Sequence, residues 1–205
     1  MKNKIVGIVL AAMMVVSVAS VGCAAEDFKR FGAGLQMMYL NPDVDSSDFP
    51  ATLISAEDTM TAGLTLEYFF TPNFSTELVA AIAHVDLELA DGALGSADAW
   101  LLPPSLYLKY HPMPQWKVSP YVGIGVDWIY AWDEELNGTT SIDIDDSFGW
   151  AAKVGADVKI TDNLFVNLDV MYLDNETDLS IEGVPGDFDL DLKIWSYNVG
   201  MRYRF

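Results

Sequence analysis

The sequence predicts an all-β protein, an eight-stranded antiparallel up-and-down transmembrane β-barrel with long extracellular loops and short periplasmic turns. Three observations carry this reading. Eight stretches of the 205-residue chain alternate apolar and polar side chains, the two-residue period of a strand. The gaps between them run long, short, long, short, long, short, long, as in a bacterial outer-membrane barrel whose turns and termini face the periplasm. After residue 21, charges or prolines interrupt every apolar run before it reaches the ~20 residues of a spanning helix. In a membrane only a closed sheet then remains, because lipid cannot satisfy an open strand edge.

The chain opens on a basic stretch with Lys2 and Lys4, runs apolar over 5–21 and ends that run on Gly22-Cys23-Ala24-Ala25. This reads as a secretory signal peptide over 1–25, with 26–205 as the barrel. An anchor helix is the competing reading, but the run is short and lacks a positively charged stop. Cys23 would leave with the leader, so the mature chain would carry no cysteine. Lipid attachment at Cys23 is less favoured, since Ser20-Val21-Gly22 lacks the leucine usual there.

The alternating stretches fall at 30–40, 61–70, 74–85, 104–110, 119–132, 147–160, 164–173 and 193–205. The first sets Phe31, Ala33, Leu35, Met37 and Tyr39 against Arg30, Gly32, Gly34 and Gln36. The second sets Leu64, Leu66 and Tyr68 against Gly63, Thr65 and Glu67. The third alternates least cleanly, with Val79, Ala81 and Ala83 on the side of Glu77. The fifth sets Val122, Ile124, Val126 and Trp128 against Tyr121, Gly123, Gly125 and Asp127. The sixth opposes Trp150, Ala152 and Val154 to Gly149, Lys153, Gly155 and Asp157, and the seventh opposes Leu164, Val166 and Leu168 to Asn167, Asp169 and Met171. The last sets Trp195, Tyr197, Val199, Met201, Tyr203 and Phe205 against Ser196, Asn198, Gly200, Arg202 and Arg204.

One face is thus apolar with aromatics toward its ends, and the other is small, polar or charged. Small residues suit the crowded interior of an eight-stranded barrel. A basic group on the lipid face at mid-bilayer would cost ~2–4 kcal/mol. The polar face therefore points inward. Arg30, Lys109, Lys153, Arg202 and Arg204 face Glu67, Glu77, Asp127, Asp157 and Asp169 there, as a mutually paired interior needs. Phe205, closing the last strand, has the form of an outer-membrane assembly signal, which implies periplasmic chaperones and the barrel assembly machinery as partners.

Loss of Lys2 and Lys4 with the leader takes the formal charge from −19 to −21. The long loops (41–60, 86–103, 133–146, 174–192) hold 22 of the 30 acidic residues, so the excess lies outside the cell rather than in the pore. Solubility explains this; divalent cations bridging to lipopolysaccharide are the sharper alternative. No loop has the Gly and terminal Glu of an EF-hand. The acidic balance excludes a nucleic-acid partner. His84, on the lipid-facing parity near the outer rim, and His111, in a periplasmic turn, lie at opposite ends. No Ser–His–acid set converges; no enzyme, cofactor or metal is expected.

The segments "LPPSLYLKYHP" (102–112), "PYVGIGVDW" (120–128), "SFGWAAKVGADVKITDNLFVNLDVMYLD" (147–174) and the ending "GMRYRF" resemble the outer membrane protein W (OmpW) family over most of the mature chain. The resemblance implies residence in the bacterial outer membrane, among its lipid and lipopolysaccharide. It also implies a narrow lumen passing small hydrophobic molecules across the membrane, or sideways into it through a gap in the wall. It places a constriction at Val79 and Met171, both on the inward parity; the family often has a bulkier Trp at the second position, so a looser constriction is implied. Pro103-Pro104, where the fourth strand is expected to begin, would weaken the ladder there. Met60, Leu87, Leu89, Leu94, Trp100 and Leu101 could form an apolar entrance. The alternative is a non-transporting barrel, structural or recognising partners through its acidic loops.

Overall fold

The computed structural model describes residues 28–46, 54–56, 58–81, 83–89, 95–102, 104–136, 142–144, 147–181 and 187–205; the leader reading over 1–25 lies outside them. Twelve strands follow in chain order: β1 (Phe31–Ser46), β2 (Ile54–Ala56), β3 (Thr59–Phe69), β4 (Phe74–Ala81), β5 (Ala83–Leu89), β6 (Gly95–Leu102), β7 (Ser105–Tyr110), β8 (Val118–Leu136), β9 (Ile142–Ile144), β10 (Ser147–Lys159), β11 (Leu164–Ile181) and β12 (Asp187–Arg204). β5 continues β4 and β6 leads into β7, so eight staves build the wall. Antiparallel pairing runs β1–β3–β4–β7–β8–β10–β11–β12 and back to β1, which closes the sheet. The short β2 and β9 pair with β5 and β11.

The register fixes the geometry. A row of paired residues starts at Gly34 and passes Thr65, Val79, Ser105, Asp127, Gly149, Asn175 and Leu192. It returns to β1 at Val44, ten residues above its start. Eight strands with that stagger tilt by about 41° on a wall of about 8 Å radius. Such a cylinder leaves room for its own side chains and little more.

Burial follows the alternation. On β7, Ser105, Tyr107 and Lys109 are buried while Leu106, Leu108 and Tyr110 are exposed. Ile124, Leu35 and Leu64, all more than 60% exposed, belong to a continuous apolar exterior. In water that surface would be an association hazard; in lipid it is the solvated face. Inside, close packing explains Gly155: a Cβ there would lie 2.5 Å from Leu168 O and 2.8 Å from the Tyr121 ring.

Aromatics gather at two levels. Phe31 packs on Tyr68 and Phe205 at 5.1 and 6.1 Å near the periplasm, and Tyr172 on Trp195 and Trp150 at 4.9 and 5.4 Å near the outside. On β12, Trp195 and Tyr203 are eight residues apart, a rise of about 20 Å at this tilt, which approaches the height of an apolar band.

Two periplasmic turns share one design. Thr71 Oγ1 accepts from the amides of Asn73 and Phe74, and Asn73 Nδ2 donates to His111 O at 2.7 Å. Thr161 Oγ1 accepts from Asn163 and Leu164, and Asn163 Nδ2 donates to Arg204 O at 2.9 Å. Each turn thereby fastens its hairpin to the end of the neighbouring stave.

The structure corrects two expectations. The staves run past the proposed loop borders: β1 reaches Ser46, β8 Leu136 and β11 Ile181, while β12 starts at Asp187. On β12 the alternation itself continues, with Asp187, Asp189 and Asp191 against Phe188, Leu190 and Leu192, but the acids take the parity that is apolar lower down, so the pattern no longer reads as the same strand. The fourth stave starts at Gly95, and Pro104 lies between its two strands. β4 pairs with β7 up to Val79 and Ser105, and β5 with β6 from Ala83 and Leu101. Both ladders keep one register, and Pro104 lies in the interval between them.

Candidate functional site: a two-storey lumen

The stagger allows lumen side chains to be ranked by height, and the ranking separates two storeys. At the periplasmic mouth, Arg204 lies 4.2 Å from the ring centroids of both Phe69 and Phe165. Its Nη2 reaches Asp157 at 2.6 Å. Phe28 meets Phe69 edge-on at 6.3 Å.

Above this plug lies a floor of buried charge. Arg202 pairs with Glu67 at 2.8 Å, with Asp157 at 3.1 Å and with Glu77. Lys109 reaches Glu67 at 2.9 Å and Glu77 at 3.4 Å, and Lys153 reaches Glu77 at 2.7 Å and Asp169 at 3.8 Å. Tyr121 donates to Asp169 at 2.8 Å, and its ring lies 3.9 Å from Lys109 Nζ. Four carboxylates thus meet four cations. Desolvating so many charges is tolerable only when each has a partner, and here each does.

His111 opens the turn after β7, as the sequence suggests, but its side chain is buried in this floor, with Nε2 3.2 Å from Ser75 Oγ and its ring tilted against Phe69 and Tyr121. The inward parity of Tyr107 and Lys109 continues for one more step; Pro112 had masked it. Arg30 stands apart from the network. Its Nη1 donates to Phe70 O at 3.2 Å and its guanidinium lies over Phe28, because it precedes β1, below the level of the acids.

The upper storey gathers the apolar lumen side chains, with Ser105, Asp127, Asn175 and Ser196 buried among them. Val79 and Met171, each 1% exposed, stand on β4 and β11, four staves apart and therefore facing one another. They share one packed cluster with Met38, Ala81, Ala151 and Leu173, and Leu40 and Ile194 lie above. Asp127 belongs to this storey rather than to the floor, since its row neighbours are Ser105 and Gly149. Its carboxylate accepts from Ser105 Oγ and from Asn175 Nδ2 at 3.0 Å.

Of the proposed entrance residues, Met60 points outward at 68% exposure, and the side chains of Leu87, Leu89, Leu94, Trp100 and Leu101 lie outside the described residues, as does that of His84. Tyr107 and Ser105, which parity alone puts inside, and Asn175, which the sequence pattern leaves in a loop, also line the lumen, and Tyr121, read as inward, joins the charge network. Phe205 closes the wall: its amide donates to Phe31 O at 2.9 Å. Among the described residues no group of three His, Cys, Asp or Glu is placed to hold a metal ion.

The sequence pattern of the OmpW family matches residues 41–205. Outer membrane protein W of Vibrio cholerae is 30% identical over the whole of both chains. Outer membrane protein AlkL of Ectopseudomonas oleovorans is 26% identical over 89% of this chain and 81% of that one. The crystal structure of OprG from Pseudomonas aeruginosa superposes with a TM-score of 0.72 at 30% identity, covering 86% of this chain and 96% of that one. With an inverted barrel, lipid-facing aromatics and these relatives, the chain belongs to the OmpW family and is an outer-membrane β-barrel.

Proposed function

We propose that the barrel is a passive, narrow route by which small hydrophobic molecules leave the outside medium, occupy the upper storey and pass sideways into the bilayer. The observation that carries this is the stacking of an apolar storey directly on a closed, charge-paired floor. An apolar solute gains from contact with Met38, Val79, Met171 and Leu173. It would have to break the Arg202 and Lys109 pairs to go further down, at a cost of several kcal/mol. The interrupted ladder at Pro104 lies at the height of Ala81, with small side chains on its opposite stave, and supplies a sideways exit. The packed floor also favours the non-transporting reading as far as direct passage to the periplasm is concerned. The apolar storey above it favours release into the membrane. In the same reading Phe205 is the mark by which the barrel assembly machinery takes up the chain.

Uptake of a small hydrophobic dye and of a polar sugar of similar size into proteoliposomes tests this. The dye should enter faster than into empty liposomes, and the sugar should not. Met171→Arg should abolish the difference, while Phe165→Trp, which fills the lower mouth, should leave it intact. Dye uptake no faster than in empty liposomes would refute the route.

A further inference from the structure

The floor balances its charges without Asp127: Glu67, Glu77, Asp157 and Asp169 already meet Lys109, Lys153, Arg202 and Arg204. Asp127, 0% exposed, is the buried carboxylate that has no cation against it among the described residues. Ser105 Oγ and Asn175 Nδ2 each donate to it. The other end of that amide, Asn175 Oδ1, is buried and accepts from nothing, and the buried Tyr107 hydroxyl one step below also lacks a partner. Buried polar atoms are ordinarily paired. Two acceptors side by side in an apolar storey, one of them an uncompensated carboxylate, suit a donor that arrives with the cargo.

The chemistry narrows the donor. A hydroxyl brings one proton and no charge. A quaternary ammonium brings charge and no proton. A protonated primary amine brings charge and three donors together. The acidic extracellular segments raise the local concentration of cations at the mouth, and Val79, Ala81, Met171 and Leu173 offer an apolar wall to the rest of the molecule.

We infer that the upper storey selects small primary amines with an apolar body, the ammonium group resting on Asp127 and Asn175 Oδ1 and the body against Met171 and Leu173. This rests on the reading of that storey as the chamber of the route. The test is an NMR titration of the full barrel in lipid nanodiscs with hexylammonium, 1-hexanol and hexyltrimethylammonium. It follows the Met171 methyl and the Asn175 side-chain amide, with Met37 on the lipid face as the reference for partition into the bilayer. Hexylammonium should half-saturate both signals at about one tenth of the concentration the other two probes need, as charge-assisted hydrogen bonds outweigh neutral ones. Asp127→Asn should bring the three probes together. Three equal half-saturations in the unmodified protein, with Met171 still responding, would overturn the inference and leave the chamber standing. A Met171 signal that merely tracks Met37 with every probe would remove the chamber itself, and the inference with it. If Asp127→Asn does not give the folded form on an unboiled gel, the comparison of probes in the unmodified protein decides alone.

Discussion

Arg202→Met replaces the most connected cation of the floor by an apolar chain of comparable length. The guanidinium holds Glu67 at 2.8 Å, Asp157 at 3.1 Å and Glu77. Its loss leaves four carboxylates facing three cations. None is stripped bare, because Lys109 stays on Glu67 at 2.9 Å, Lys153 on Glu77 at 2.7 Å and Arg204 on Asp157 at 2.6 Å. The expected loss therefore sits near the lower end of the ~3–5 kcal/mol found when one partner of a buried pair is removed, about two decades in the folding equilibrium. Pairing it with Glu77→Gln restores equal numbers of each charge. The double variant should be more stable than the sum of the single losses by at least ~1.5 kcal/mol, well beyond the ~0.5 kcal/mol scatter of independent sites. Urea titration in lipid vesicles, scored by the gel mobility of the unboiled barrel, measures all four proteins. A single-variant loss under ~1 kcal/mol, or additive losses, would refute the account of the floor as a coupled charge network.

Three further outcomes follow from the same geometry. Gly155→Ala should lose about 1–3 kcal/mol by overpacking, whereas Gly32→Ala, whose new methyl would meet the Arg202 stem at 3.2 Å and Glu67 Cβ at an ordinary 3.6 Å but no backbone atom as near, should lose less; equal losses in urea would contradict the packing described. Asn163→Ala removes the hydrogen bond to Arg204 O and should cost about 1 kcal/mol, read by the same titration and absent if the turn does not hold the last stave. The Asp58 carboxylate accepts from Tyr39 Oη at 2.5 Å and Asn41 Nδ2 at 2.6 Å, which holds its pKa below the ordinary aspartate value. A depressed acid stabilises above its unfolded pKa and loses that contribution as pH falls through the folded one. Its carboxyl carbon should titrate in that acid window by NMR, and Tyr39→Phe should move the midpoint upward; an unmoved midpoint would exclude the tyrosine as the cause.

Side-chain direction was readable from period two alone: Lys153, Asp157 and Asp169 alternate with Val154, Val158 and Leu168, and only one set can meet lipid. Height was not readable. The level of a residue in the wall depends on the stagger summed over all eight seams, and no single segment contains it. Asp127 and Arg30 therefore fell into one inward set with Arg202, although one stands above the floor and the other below it. The pairing of Arg202 with Glu77 joins residues 125 apart in sequence, a contact that exists only once the sheet closes. His111 was hidden by Pro112, which marks the end of a strand without saying where the preceding side chain points. The upper ends of the staves were hidden because the apolar parity changes sides there: Asp43 and Asp45 follow Tyr39 on β1, and Asp189 and Asp191 precede Trp195 on β12.

The twin turns carry a consequence for the ancestry and modularity of the wall. Setting Asn73 beside Asn163 brings Lys109-Tyr110-His111 into line with Arg202-Tyr203-Arg204, the stretch that each asparagine fastens at its second basic residue. Lys109 and Arg202 then occupy equivalent places, and both hold Glu67 and Glu77. Each of these stretches closes the fourth stave of its half of the wall. The barrel is thus laid out as two half-barrels with like endings, and the chain termini occupy only one of two like junctions. A circular permutation opened in the 111–117 connection would exchange those junctions while keeping both asparagine fastenings, so the half-barrel, rather than the hairpin, is the unit in which this wall divides.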